Sequence, residues 1–190
     1  MRGLVFICII GGFLIGCNGA KKTVEPTAKS KALEAMIADK EFTIESDWMY
    51  PQPTTSMNAI ANSGLLPPGS TTNSINLIGN PNSLKVHGDS ITLDLPFYGE
   101  RRLSSGQYGG NEGGIVFKGI PDRYEVTKDE KRQRYIIEFT VKKNSESYRG
   151  IITLYPNWNS NIVINSTYLT TIRYRGTVSG LEEDAAVVTN

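Results

Sequence analysis

Short segments in which apolar and polar residues alternate fill most of the sequence after residue 41. A period of two is typical of strands with one buried and one exposed face. It predicts strands at 42–50, 75–78, 83–87, 90–95, 115–118, 124–127, 134–142, 147–155, 161–165 and 171–178. No helical pattern of crossover length separates these segments, so we expect an antiparallel meander. Because an open sheet would expose two edges, we predict a mainly β fold that closes into a barrel or a two-sheet sandwich.

A helical pattern precedes these strands. The sequence TAKSKALEAMIADK at 27–40 places Leu33, Met36 and Ile37 on one face, with Pro26 just ahead of the first turn. It predicts one N-terminal amphipathic helix within 26–41, whose narrow apolar stripe packs on the β domain at 42–181. The stretch 51–72 is rich in Pro, Thr and Ser, and we expect a long loop there with at most a short helix near 58–65. Residues 182–190 lack a pattern and are expected to be a frayed tail.

The N-terminal residues have the pattern of an export signal. One positive charge, Arg2, precedes an apolar run of twelve residues from Leu4 to Ile15. That run is too short for a membrane-spanning helix of about 20 residues and suits the hydrophobic region of a signal peptide. The run ends in LIGC at 14–17, which resembles the lipobox of bacterial lipoproteins. The resemblance implies a signal peptide at 1–16, a lipidated Cys17 and a tether at 17–25; the alternatives are an ordinary signal peptide cleaved elsewhere and a short membrane anchor.

Charge and cysteine content exclude several classes of function. The chain has 20 Lys plus Arg against 19 Asp plus Glu, a formal charge of +1, so it provides no basic surface for nucleic acid. Removal of 1–16 would take away Cys8, and lipid would consume Cys17, so we expect no disulfide, no cysteine-ligated metal and no cysteine nucleophile. His87 is the single histidine and is interpreted as a strand-end residue. Neither a metal nor a cofactor is expected.

Several short strings occur in order behind the lipobox. They are Asp89-Ser90, LPFYG at 95–99, GGIVFKGIPDRYEV at 113–126, ITLYPN at 152–157 and IRYRGTV at 172–178. Together they resemble an uncharacterised family of bacterial envelope lipoproteins, known as domain of unknown function 4251, over residues 42–180. Because that family has no established activity, the resemblance implies no catalytic or binding residues.

A glycine-rich segment, GQYGGNEGG at 106–114, interrupts the strands. It lacks the Lys-Ser/Thr ending of a phosphate-binding loop, and no helical pattern follows it. Aromatic and guanidinium groups surround it, at Phe97, Tyr98, Arg101 and Tyr108. Such groups can stack on a planar or sugar-like ligand or anchor a protein interface. We therefore predict a ligand-binding site there, with Trp158 as a further candidate platform for a sugar.

Three functions agree with these observations. The first is an envelope-anchored, non-enzymatic module that binds a small hydrophobic or sugar-like ligand. The second is a structural or protein-interaction role in an envelope complex without a small ligand. The third is a carboxylate-dependent hydrolase built from acids such as Asp89, Asp94, Glu100 and Glu112. Asn18 after the lipidated position resembles lipoproteins that are forwarded to the outer membrane, so we expect attachment there, facing the periplasm, with cell-surface exposure as the alternative.

Overall fold

The computed structural model of the chain describes residues 26–100 and 114–181. Two helices and ten strands follow one another in these ranges. They are α1 (Ala28–Asp39), β1 (Glu41–Tyr50), α2 (Thr55–Asn62), β2 (Ile75–Asn76), β3 (Ser83–His87), β4 (Ser90–Pro96), β5 (Gly114–Gly119), β6 (Arg123–Asp129), β7 (Arg134–Lys143), β8 (Glu146–Leu154), β9 (Asn159–Ser166) and β10 (Ile172–Gly180). The signal peptide, Cys17, the tether, the tail and the glycine-rich segment except Gly114, all predicted above, lie outside the described residues.

The strands form one antiparallel, curled sheet, as the sequence predicts, and not two stacked sheets. Its order is β5-β4-β3-β1-β10-β9-β8-β7-β6, with the short β2 paired to β1. The two end strands, β5 and β6, are consecutive in the chain. Each strand in this order is antiparallel to the next, and an even number of such pairings leads from β5 to β6. The two end strands therefore run in the same direction. They therefore form a single extended segment that pairs with β4 in its first half and with β7 in its second.

Only a few residues join the two halves of that segment, so the ends of the sheet meet there. Gly119 is the last partner of β4, and the backbone N–H of Asp122 already donates to Thr140 of β7. Ile120 and Pro121 form the link between them, and we call residues 119–122 the kink. Proline suits this position because it has no backbone N–H to satisfy. The sheet curls into a barrel-like shape because one segment pairs at both ends.

The interior of the curled sheet is filled with side chains. The inward residues of β7 and β8 pair as the alternation predicts, with Ile137 opposite Ile152 and Val141 opposite Tyr148. Phe139 faces Gly150, and a Cβ at Gly150 would overlap the Phe139 ring. The buried core includes Phe42, Ile44, Leu84, Val86, Leu93, Ile137, Phe139, Val141, Ile152, Ile162, Tyr174 and Val178.

Strand β1 contains a bulge that its neighbours accommodate. The pairing of β1 with β10 shifts between Ser46 and Trp48. On the other side of β1, the side-chain amide of Asn82 takes the place of the backbone of a neighbouring strand. The Ser46 N–H donates to Asn82 Oδ1, and Asn82 Nδ2 donates to the Ser46 carbonyl, both at 2.9 Å. Opposite the bulge, a Cβ on Gly176 would overlap the carbonyl oxygen of Glu45 and lie 2.6 Å from Ser46 Cα. Glycine is therefore required at 176.

Helix α1 closes one end of the curled sheet. The hydroxyl of Thr27 caps its first turn by accepting from the Ser30 N–H, and Leu33 and Ile37 are buried, as the predicted stripe requires. Polar contacts tie the helix and Lys40, which follows it, to two turns of the sheet and to the end of β6. Trp158 Nε1 donates to the Lys29 carbonyl, Lys128 pairs with Glu34 at 3.1 Å, and Lys40 pairs with Asp89 at 2.7 Å.

A second helix, α2, lies in the stretch predicted to be a loop with at most a short helix near 58–65. It begins earlier, at Thr55, because the Thr54 hydroxyl caps it by accepting from the Met57 N–H, and it buries Met57. Neither helix in the described ranges has the length and hydropathy needed to span a membrane.

Replacing Gly176 by Ala should destabilise the protein strongly, because the new Cβ meets backbone atoms that cannot move without breaking the β1–β10 pairing. We expect a loss of about 2 kcal/mol or more in the free energy of unfolding, measured by urea denaturation. Gly180→Ala is the matched control on the same strand. Its Cβ would meet only Met36 Sδ at 3.7 Å, so we expect a change within about 0.5 kcal/mol. Equal effects of the two substitutions would contradict this account of the bulge.

The contact between Glu34 and Lys128 should make the docking of α1 depend on pH. The hydrogen bond from Lys128 holds the pKa of the Glu34 carboxyl below its ordinary value of 4.5. The ion pair therefore contributes fully to the free energy of unfolding above the ordinary pKa of the carboxyl. This contribution is lost as the pH falls through the lower pKa of the folded state. Glu34→Gln should flatten the dependence of unfolding free energy on pH below about 4.5. Asp39→Asn removes a carboxylate from the same helix without breaking a described ion pair, and a matching effect there would refute the prediction.

Candidate functional site

The predicted ligand-binding residues Phe97 and Tyr98 lie just after β4 and pack against the core. Their segment is held to the end of the sheet opposite α1. The Tyr174 hydroxyl donates to the Pro96 carbonyl at 2.8 Å, and the Thr170 N–H donates to the Glu100 carbonyl at 3.1 Å. Arg101 and Tyr108, the other members of that predicted site, lie outside the described residues. The structure therefore places Phe97 and Tyr98 partly inside the fold.

The predicted sugar platform, Trp158, lies at the other end of the sheet. The Trp158 carbonyl accepts from the N–H of Val178, near the end of β10. The segment of Phe97 and Tyr98 is instead held near the start of β10, where the Glu100 carbonyl accepts from the N–H of Thr170. Eight residues of extended chain separate Thr170 from Val178, about 26 Å. The indole of Trp158 is half-buried, and its N–H is used by the Lys29 carbonyl at the start of α1. The structure thus does not bring Trp158 together with Phe97 and Tyr98.

The acids considered for hydrolysis are also dispersed. Asp89 lies in the β3–β4 turn, where Lys40 holds the pKa of its carboxyl below the usual range. Glu100 lies past the far end of β4, where the hydroxyls of Ser56 and Thr54 lower the pKa of its carboxyl. Asp94 is exposed on β4, and Glu112 lies outside the described residues. Among described residues, no group of three or more His, Cys, Asp or Glu side chains could hold a metal ion.

A concave surface lies on the outside of the sheet. It has a volume of about 670 Å³, within the range of about 300–1,000 Å³ that is usual for small-molecule sites. Outward-facing side chains of β8, β9 and β10 form its floor, and the chain that leaves β1 forms one wall. We call it the outer groove; it comprises Tyr50, Pro51, Gln52, Pro53, Asn73, Thr153, Asn161, Val163, Thr171, Arg173 and Arg175, together with Ile162 and Tyr174, whose side chains belong to the core.

Two arginines give the outer groove its charge. Arg173 and Arg175 are both exposed on β10, and strand alternation places them on the same face. Neither makes an ion pair or a side-chain hydrogen bond with another described residue. Two exposed acids of β1 flank them, Glu45 opposite Thr177 and Asp47 at the bulge beside Trp48, and neither forms an ion pair with Arg173 or Arg175. The groove therefore presents two unpaired positive charges.

Other arginines on the described surface are paired with carboxylates. Arg123 binds Glu125 through two nitrogens, and Arg149 binds Glu138 at 2.7 Å on the same outer face of the sheet. Arg132 and Arg134 share a third carboxylate, that of Asp129. The unpaired guanidinium groups in the outer groove are thus unusual for this protein.

The remaining groups in the outer groove are planar or polar. Tyr50 is the register partner of Arg173. Pro53 presents an exposed ring in the wall, where Pro51 is buried. Asn161 and Thr153, paired across β9 and β8, present an amide and a hydroxyl. This mixture of ring faces, amides and guanidinium groups can hold a polar, ring-shaped ligand. Among the described residues that line the groove there is no carboxylate.

Sequence reasoning missed the outer groove because the outward residues of a half-buried strand are expected to be polar in any case. A signal was present in Arg173-Tyr174-Arg175, since residues two apart in a strand share a face. The wall formed by 50–53 could not be placed from sequence, because its position depends on the path of the chain after β1.

Comparison with known proteins identifies a family without an assigned activity. The profile of the family described as Domain of unknown function (DUF4251) matches residues 25–178. A crystal structure of a DUF4251 family protein from Bacteroides eggerthii is similar to this chain, with a TM-score of 0.53 and 15% sequence identity, covering 80% of this chain and 87% of the other. At that identity the likeness concerns the fold alone. No curated protein has significant sequence similarity to the chain. Because the profile spans most of its length, the chain belongs to the DUF4251 family.

Proposed function

We propose that this protein is an envelope-anchored lipoprotein whose β domain is a non-enzymatic binding module for a sugar-like ligand, held in the outer groove. The observation that carries the proposal is the pair of unpaired arginines beside Tyr50 in a groove of about 670 Å³. Lipid on Cys17 attaches the chain to the membrane, and the tether at 17–25 links it to α1. Residues 1–16 are removed as a signal peptide.

The filled interior supports a site on the outer face. Large side chains such as Phe42, Phe139 and Tyr174 are at most 1% exposed inside the curled sheet. An apolar ligand would have to displace such side chains, which costs several kcal/mol in a packed core. A polar ligand on the outer face displaces only water. Of the two ligand classes that the sequence suggests, the structure favours the sugar-like one.

The position of α1 also supports the proposal. The helix begins beside Trp158, at the end of the sheet where β10 finishes. The outer groove uses Thr171, Arg173 and Arg175, toward the other end of the same strand. A lipid that precedes α1 in the chain would therefore leave the groove directed away from the membrane. Attachment to the outer membrane, with the domain in the periplasm, follows from Asn18 after the lipidated position.

A structural or protein-interaction role is the second candidate function. Large apolar side chains are exposed at the kink and on the strands that flank it: Ile120 is 76% exposed, and Val126 and Val116 are exposed to lesser extents. Exposed apolar groups of this kind are found at protein interfaces. Ile120→Ser should abolish co-purification of a partner from envelope extracts if this role is the correct one, and should leave sugar binding unchanged.

Replacing Cys17 by Ala should abolish lipidation. Without the thiol there is no acceptor for the diacylglyceryl group, and the precursor should keep its signal peptide. The measurement is incorporation of radiolabelled palmitate, together with the mass of the protein. Cys8→Ala, in the apolar run, is the control and should label normally. Continued labelling of the Cys17 variant would refute the lipoprotein assignment.

Replacing Tyr50 by Ala should weaken sugar binding at least tenfold, or about 1.4 kcal/mol, because the aromatic face beside Arg173 is lost. The full-length protein, purified in detergent, is screened on an oligosaccharide array, and its hits are measured by calorimetry. Tyr168→Ala is the control, since Tyr168 is outside the groove in the β9–β10 turn. If no sugar binds, or if both variants bind like the wild type, the proposed function is wrong.

A further inference from the structure

We infer that the outer groove selects acidic oligosaccharides, and that Arg173 and Arg175 bind the carboxylates of the sugar. This inference rests on the proposed function and specifies its ligand class. Nothing else described in the groove carries a charge, so these two guanidinium groups decide which ligands are attracted.

The two arginines are held at a fixed spacing. They are two residues apart on β10, so their Cα atoms lie about 6.6 Å from each other along the strand. Strand β10 is paired on both sides: Arg173 lies between Tyr50 of β1 and Val163 of β9, and Arg175 lies between Trp48 and Asn161. A central strand paired in this way is a rigid support, which reduces the ordering cost of binding.

Charge complementarity determines the sign of the charge that a bound ligand should carry. Arg173 and Arg175 repel each other, and no described carboxylate forms an ion pair with either; the nearby Asp47, at the bulge of β1, is exposed and does not bind them. An anion that bridges them replaces this repulsion with attraction, and the planar guanidinium fork matches a carboxylate with two parallel hydrogen bonds. A neutral sugar would leave both charges uncompensated. The groove therefore favours acidic over neutral sugars.

The backbone around the groove argues for a sugar rather than a peptide. Strands β8, β9, β10 and β1 are all internal to the sheet, so their ladder hydrogen bonds use the backbone groups on the floor. An extended peptide has no unpaired edge to add to there. Recognition falls to side chains, among which Gln52, Asn73 and Asn161 offer amides and Thr153 a hydroxyl. Sugar hydroxyls and a carboxylate, displayed around a ring, suit that set.

The test compares two sugars that differ only in charge. Trigalacturonate and its fully methyl-esterified form are titrated into the full-length protein in detergent. We expect trigalacturonate to bind at least tenfold more tightly than the ester, and its affinity to fall as salt increases. Arg173→Gln and Arg175→Gln should each weaken trigalacturonate binding at least tenfold. Both variants are checked for unchanged thermal unfolding.

Arg149→Gln is the matched control. Arg149 lies on the same outer face, in β8, but outside the groove and paired with Glu138. The substitution removes the same charge as the groove variants do, and trigalacturonate binding should be unchanged. Equal binding of acid and ester overturns the inference, and so does an effect of Arg149→Gln as large as that of the groove arginines. Competition by inorganic phosphate at the same concentration as trigalacturonate would indicate a bare anion site and would also overturn it.

The outcomes separate the inference from the proposed function. If acid and ester bind equally and Tyr50→Ala weakens both, the groove is a sugar site without charge selection, and only the inference fails. If an acidic peptide binds and sugars do not, both fail. Binding of trigalacturonate that depends on Arg173, Arg175 and Tyr50 supports both.

Discussion

The rest of the structure depends on the segment 114–129, which pairs with β4 in its first half and with β7 in its second. Because the two pairings are only a few residues apart, the sheet has to curl until its ends meet at the kink. Curling gathers the inward side chains of the strands into one core, and it brings two turns and the end of β6 within reach of α1 and of Lys40 after it. The cation of Lys40 lies at this junction, bound to Asp89 and 5.7 Å from the centre of the Tyr124 ring.

Curling also decides where a concave surface can form on the outside of the sheet. The same curvature that fills the interior turns the outward faces of β8, β9 and β10 into a convex surface, which would offer no pocket by itself. The chain that leaves β1 at Tyr50 supplies the missing wall, with Pro51 and Pro53 limiting its flexibility. The outer groove therefore depends on a loop placed against a rigid sheet, an arrangement that is common for binding sites because loops vary while the scaffold is preserved.

Much of the fold could be predicted from sequence because it is local. The alternation in β7 and β8 predicted the correct cross-strand partners. The Gly88-Asp89 pair predicted a two-residue hairpin turn, which has a positive φ at Gly88. The spacing of Leu33 and Ile37 predicted the buried face of α1. The site was less predictable because it is assembled from distant segments. The indole of Trp158 donates to the Lys29 carbonyl of α1, 129 residues away in the chain. The groove unites residues of three strands with the wall at 50–53.

The central claim is that ligands bind on the outer face of the sheet and not in its interior. Amide chemical-shift mapping of the isotope-labelled protein during titration with a bound sugar tests it most directly. The largest shifts should occur in Tyr50 and Gln52 and in Thr171 to Arg175, with little change in the inward residues of β3 and β4. Shifts concentrated instead around Phe97 and Tyr98, or spread through core residues such as Leu84 and Leu93, would contradict it.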